Sequence, residues 1–136
     1  MRAIDEITGV IVATSIRIHR QLGPGLLESA YEAVLARSLQ DAGLRVERQR
    51  SVSFQFEGNT YSDAFRIDLL VDDCVVVELK SVEKMIPLYG KQVLTYLRLM
   101  DLRLGLLINF GAPTLMEGLK RIVNNYEDLP SPLPDP

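Results

Sequence analysis

Three ionisable side chains stand where the surrounding sequence is apolar. The stretch from Phe65 to Ser81, FRIDLLVDDCVVVELKS, holds two apolar runs, Ile67–Val71 and Cys74–Val77, broken by Asp72-Asp73. β-Branched runs separated by such a pair read as a β-hairpin. Asp68 lies in the first run, and Glu78 and Lys80 directly follow the second. Charges in a mostly buried strand are costly unless they are paired or bind a metal. Carboxylate oxygens are the donors that hard divalent cations prefer.

The strand period of two puts Glu78 and Lys80 on one face and points Leu79 the other way. The position of Asp68 depends on the loop. If the loop is Asp72-Asp73 alone, Asp68 pairs with Val77 and faces away from Glu78. If Cys74 also belongs to the loop, Asp68 falls opposite Glu78. A joint site for the two acids therefore predicts an odd-length loop or a bulge.

The elements that position this hairpin are legible along the chain. Ile4, Ile7, Val10, Ile11, Thr14 and Ile18 recur at helical spacing, predicting an amphipathic first helix that ends at Leu22. His19, the only histidine, falls near its end, where a structural role outweighs a functional one. Gly23-Pro24-Gly25 breaks the helix. A second helix carries Leu27, Ala30, Tyr31, Val34, Leu35 and Leu39 on one face and stops at Gly43. Its opening spells G-x-x-E-x-x-Y with Gly25, Glu28 and Tyr31. With Gly25 as N-cap, Glu28 would take the third helical position and meet free backbone N–H groups; Tyr31 reads locally as a core aromatic. Val46–Phe56 and Thr60–Val71 read as strands joined at Gly58-Asn59. Arg45, Arg48 and Arg50 cluster at the start of that meander, as solvated charges or as phosphate contacts. Pro87 opens a third helix, about Leu88 to Met100, on which Gln92 and Tyr96 face the same way. Leu104–Phe110 reads as a buried strand, and Leu115 to Asn124 as a final short helix.

The chain of 136 residues suits one domain, expected over residues 1–127, followed by a proline-rich flexible tail over 128–136. Lys and Arg number 15 against 18 Asp and Glu, a net charge of −3, which argues against a nucleic-acid coat protein. Metal-binding acids would add such negative charge, so an enzyme acting on nucleic acid is not excluded. Cys74 is the only cysteine, which removes any intrachain disulfide or cysteine-rich zinc site and suits a packed thiol. The opening MRAIDEITGVIV carries acids where a secretion signal has a basic region, and no run approaches the ~20 apolar residues of a membrane span. A cytoplasmic protein is the expectation.

Asp68 followed by Glu78-x-Lys80 on the next strand resembles the core of the PD-(D/E)XK nuclease superfamily. HRQLGPGLLESAYE, with QVLTYLRL, LGLLINFG and GLKRIV downstream, resembles the prokaryotic GxxExxY family within it, over roughly Ile4 to Tyr126. Gln92 and Tyr96, as Q-x-x-x-Y after E-x-K, resemble its RecB-like branch. Ile67 stands where the superfamily name has proline, and Tyr89 where many relatives carry histidine.

The resemblance implies an α/β fold with a restriction-endonuclease-like core, a mixed sheet of about four strands flanked by helices in the order α-α-β-β-β-α-β-α. It implies a hydrolase that cuts phosphodiester bonds of nucleic acid, DNA in the first instance. Glu28, Asp68, Glu78 and Lys80 would be catalytic. Asp68, Glu78 and the carbonyl of Leu79 would hold Mg²⁺, for which Mn²⁺ can substitute. Gln92, Tyr96, Arg48 and Arg50 would contact nucleic acid, and Gly25 and Tyr31 would support the motif. Lysine holds its proton at neutral pH, so Lys80 is better suited to orienting the attacking water than to deprotonating it. A nuclease this small has reason to dimerise around a duplex. A catalytically weak nuclease-fold binding module, or a protein that pairs through an apolar helix face, would use the same residues differently.

Overall fold

The computed structural model describes residues 2–125, so the tail expected over 128–136 lies outside the described residues. Two helices come first, α1 (Ile4–Leu22) and α2 (Glu28–Asp41), followed by strands β1 (Val46–Phe56), β2 (Asn59–Val71) and β3 (Val75–Lys80). Helix α3 (Pro87–Met100) then crosses to β4 (Leu104–Asn109), which runs parallel to β3. A single turn of 3₁₀ helix, Met116–Gly118, leads into β5 (Leu119–Val123). The described residues form one five-stranded sheet in the order β1-β2-β3-β4-β5, antiparallel except between β3 and β4. This mixed sheet between helices is consistent with a restriction-endonuclease-like core.

The sheet separates two apolar layers. Ile7, Ile11, Tyr31, Leu35 and Leu39 of α1 and α2 pack on Val75, Val77, Leu79, Leu106 and Ile108. Val93 and Leu97 of α3 pack on Val76, Leu107 and Ile122 across the other face. With both faces covered, β3 and β4 are continuous apolar runs apart from their chemical ends, as expected for parallel strands at the centre of a sheet.

The expected helix over Leu115–Asn124 is instead the 3₁₀ turn and β5, which raises the strand number to five. Every residue of β4 is buried, so an unpaired edge there would leave backbone N–H and C=O groups without partners. β5 supplies those partners from Leu119↔Ile108 to Val123↔Leu104, and its Ile122-Val123 suits a strand. The other departure is at β1 and β2. β3 pairs only with residues 69–71, so the two strands run on beyond it as a ribbon. Phe56 is exposed at its tip.

The loop after β3 is fixed from below. Asn109, 2 % exposed, donates to the Val82 carbonyl at 3.0 Å and accepts from the Val82 and Gly111 amides at 3.0 and 2.9 Å. Gly111 lies so close to this loop that an added Cβ would fall 2.3 Å from the Val82 oxygen. Gly111→Ala must therefore displace backbone. We expect it to cost about 2 kcal/mol, in the range of core overpacking, measured as a lower urea midpoint at unchanged slope.

Candidate active site

The loop between β2 and β3 has odd length. Val71 pairs with Val75, leaving Asp72, Asp73 and Cys74 in the turn, the two acids at φ of 49° and 58°. Asp72 is held through its amide to the Arg45 carbonyl and through its carboxylate to the Arg45 amide, both at 2.8 Å. Cys74 is half buried there, and burial, with Asp72 adding to it, pushes its thiol pKa up. This is the register that brings Asp68 and Glu78 together.

They meet where the backbone ladder stops. The last paired residues are Leu69 and Val77. Beyond them the Asp68 amide donates to Glu78 Oε1 at 2.9 Å, and the Leu79 amide donates to Asp68 Oδ2 at 2.8 Å. Each carboxylate satisfies an N–H that a regular ladder would have paired with a carbonyl. Side-chain alternation also breaks here: Ile67 belongs to the α3-side layer, whereas Leu69 belongs to the α1/α2 side.

Glu78 is 8 % exposed, and its pKa is pushed up to about 8. Burial is the largest cause and the Asp68 charge the next, against downward pulls from the Asp68 amide and Lys80. Lys80 Nζ sits 4.4 Å from the ring centroid of Tyr89, a cation–π contact made by the residue that stands in the histidine position. Tyr96, one turn beyond the exposed Gln92, stacks on Phe65 at 4.2 Å between centroids. Burial pushes its hydroxyl pKa up, and so do Glu78 and Asp68, which places it in the field of the acid pair. The Leu79 side chain points into the core, 1 % exposed.

The opening of α2 differs from expectation. Leu27, not Gly25, is the N-cap, so Glu28 takes the first helical position and is exposed. Gly25 lies two residues before that cap, and its φ of 113° is outside the extended backbone an N-cap takes. Tyr31 is fully buried, stacks on Phe110 at 4.4 Å, donates its hydroxyl to the Gly23 carbonyl and accepts from the Leu26 amide. Gly25 and Tyr31 thus shape this loop. The Leu26 carbonyl accepts from Ser81 Oγ at 2.5 Å, which ties the start of α2 to the residue after Lys80. His19 donates from Nε2 to the Ala112 carbonyl at 2.9 Å and is buried, a structural contact.

Arg50 forms a two-pronged pair with Glu47 at 3.0 and 2.9 Å. Arg48 turns inward to Glu32 at 3.1 Å. Glu32 lies outside the G-x-x-E-x-x-Y motif. It is 6 % exposed, and Gln49 donates to it at 2.5 Å and to Asp68 Oδ1 at 3.1 Å. A signal was present: Glu32 occupies the same helical stripe as the buried Leu35, Ala36 and Leu39.

No group of three or more His, Cys, Asp or Glu is gathered to hold an ion among the described residues. Two carboxylates with open lone pairs nevertheless fit Mg²⁺, which retains several waters and takes few protein ligands. A groove of about 410 Å³ lined by Ile16, His19, Pro24 and Met116 contains none of these acids.

A model of the PD-(D/E)XK nuclease superfamily matches residues 5–122, reaching all three helices, the hairpin and most of β5. The chain belongs to this superfamily. Neither a curated protein nor a solved structure matches it significantly. Among the described residues no helix is long and apolar enough to cross a membrane. The superfamily assignment carries a nuclease fold and, generally, divalent metals.

The raised Glu78 pKa has a definite sign in stability. Between its unfolded value near 4.5 and about 8, the folded chain holds this proton more tightly than the unfolded chain does. Its contribution therefore weakens the fold as pH rises through that window. Without divalent metal, the urea midpoint of the wild type should fall relative to that of Glu78→Gln between pH 5 and pH 8. Parallel profiles for the two proteins would contradict the assignment.

Proposed function

We propose that this chain is a metal-dependent nuclease that hydrolyses phosphodiester bonds of nucleic acid, DNA in the first instance. The observation that carries the reading is the reciprocal contact of Asp68 and Glu78, with Lys80 two residues on and on the Glu78 face. Asp68, Glu78 and the Leu79 carbonyl would hold Mg²⁺, with Mn²⁺ able to replace it. When bound, the cation offsets the acid pair, lowers the pKa of a water and polarises the phosphate.

The remaining work falls to the chain's own residues. Lys80, steadied by the face of Tyr89, orients the attacking water and stabilises negative charge developing on phosphate oxygens. Glu78 must lose its proton to serve as a ligand, so metal affinity rises with pH. Gln92 and Tyr96 line the approach from α3 and position the nucleic-acid backbone. Arg48 and Arg50 have carboxylate partners, and Glu47 is the more exposed of the two acids, so a phosphate would have to displace it from Arg50. Glu28, exposed at the first position of α2, would assist through a water.

A second reading is a catalytically weak nuclease-fold binding or interaction module. It is favoured by the exposure of Glu28 and by the lack, among the described residues, of a third acid gathered beside Asp68 and Glu78.

The deciding experiment is cleavage of single- and double-stranded DNA and RNA with Mg²⁺, Mn²⁺ or EDTA, alongside Asp68→Ala and Lys80→Ala. We expect metal-dependent cutting that each substitution lowers by at least about a hundredfold, the scale of losing one positioned charge donor. Equal trace activity in all three proteins would put the binding module first.

A further inference from the structure

We infer that Gln49 is a positioning residue for Asp68, anchored by Glu32, so that the chain Glu32–Gln49–Asp68 sets the carboxylate's orientation toward the cation. This rests on the metal-dependent reading above.

The backbone at Gln49 is unusual. Its φ is 50°, in the left-handed region that a glutamine rarely enters. Successive residues of a strand normally point to opposite faces. Here Arg48 and Gln49 both reach Glu32, one on each carboxylate oxygen. The ladder with β2 pairs Arg48 with Leu69 and Arg50 with Ile67 but skips Gln49 and Asp68. Both strands thus leave regular geometry at the same level, and the departure turns the Gln49 amide toward two carboxylates at once.

Only the NH₂ of an amide can donate to both acids. One hydrogen goes to Glu32 Oε1 and the other to Asp68 Oδ1. With the Leu79 amide on Oδ2, each Asp68 oxygen has one fixed donor, and the carboxylate cannot swing about its Cβ–Cγ bond without losing one of them. Each oxygen keeps a lone pair for the cation. Glu32 is in turn held by Arg48 at 3.1 Å, so the anchor is a charge pair at the inner side of α2. Outer hydrogen bonds of this kind orient metal-binding carboxylates.

A stitch between α2 and the ribbon would use the same bonds, so the test needs a readout that stability alone does not move. Mn²⁺ affinity is measured by isothermal titration on the full chain for wild type, Gln49→Leu and Gln49→Asn. Leucine keeps the bulk and removes the donors. Asparagine tolerates the left-handed backbone better than glutamine, so it should fold, yet it is too short to span both carboxylates. Both variants should bind Mn²⁺ about tenfold more weakly, the lower end of losses from removing such outer partners. In cleavage assays at saturating Mn²⁺, kcat should fall with KM for nucleic acid unchanged. Wild-type Mn²⁺ affinity in Gln49→Asn would overturn the positioning role while leaving the nuclease reading intact. A wild-type chain that binds no Mn²⁺ would overturn that reading and this inference with it.

Discussion

The sheet is held open at one level by an exchange of hydrogen-bond partners. At Asp68 and Glu78 two amides that would belong to the β2–β3 ladder are satisfied by carboxylates instead. The exchange keeps both buried N–H groups paired, as they must be, and it sets two acids side by side in the middle of the fold. Its cost is electrostatic. Two carboxylates so close, one of them buried, resist carrying charge together, and the raised pKa of Glu78 records that resistance. A counter-charge between them would remove it, so the constraint that burdens the fold is one that the proposed cation would relieve.

Much of the remaining architecture serves that level. The three-residue loop fixes the register, with the Arg45–Asp72 backbone exchange closing it. Asn109 clamps the chain immediately after Lys80, and the Phe110 amide donates to the Lys80 carbonyl at 2.8 Å. The fully buried Tyr31, stacked on Phe110, shapes the loop whose Leu26 carbonyl receives Ser81. These contacts come from α1, α2, β4 and their connections, and they converge on the last residues of β3. The motif glycine and tyrosine are thus explained by loop geometry, independently of any role in the chemistry.

What could be read in the sequence was whatever local pattern encodes. Helical spacing fixed the extent of α1, and the β-branched runs located β1, β2 and β3. The odd loop had to be left open, because Asp72 and Asp73 suit a two-residue turn equally well; its length is decided by Arg45, 27 residues away along the chain. Over Leu115–Asn124 the sequence suggests a helix where β5 forms, because five residues carry little pattern and the unpaired edge of β4, which recruits them, is a tertiary fact. Gln49 was invisible for a related reason. Left-handed backbone is usually announced by glycine or asparagine, and a glutamine flanked by arginines announces nothing. Glu32 is legible in principle, as a charge in an apolar stripe, but the neighbouring G-x-x-E-x-x-Y points to Glu28 instead.

The electrostatics of the whole chain bear on how such a site would meet its substrate. A net charge of −3 gives little general attraction for a polyanion, and three arginines of β1 and its approach are already engaged: Arg48 with Glu32, Arg50 with Glu47 and Arg45 with Asp73. Lys80 differs from them. Tyr89 presents it with a neutral ring, which steadies the ammonium without cancelling its charge. In the proposed function, attraction of the phosphate is therefore concentrated at Lys80 and the cation, and not spread over a basic surface. Binding would then depend on metal as much as cleavage does, because without the cation the approaching phosphate faces Asp68 and Glu78 with only one lysine to offset them.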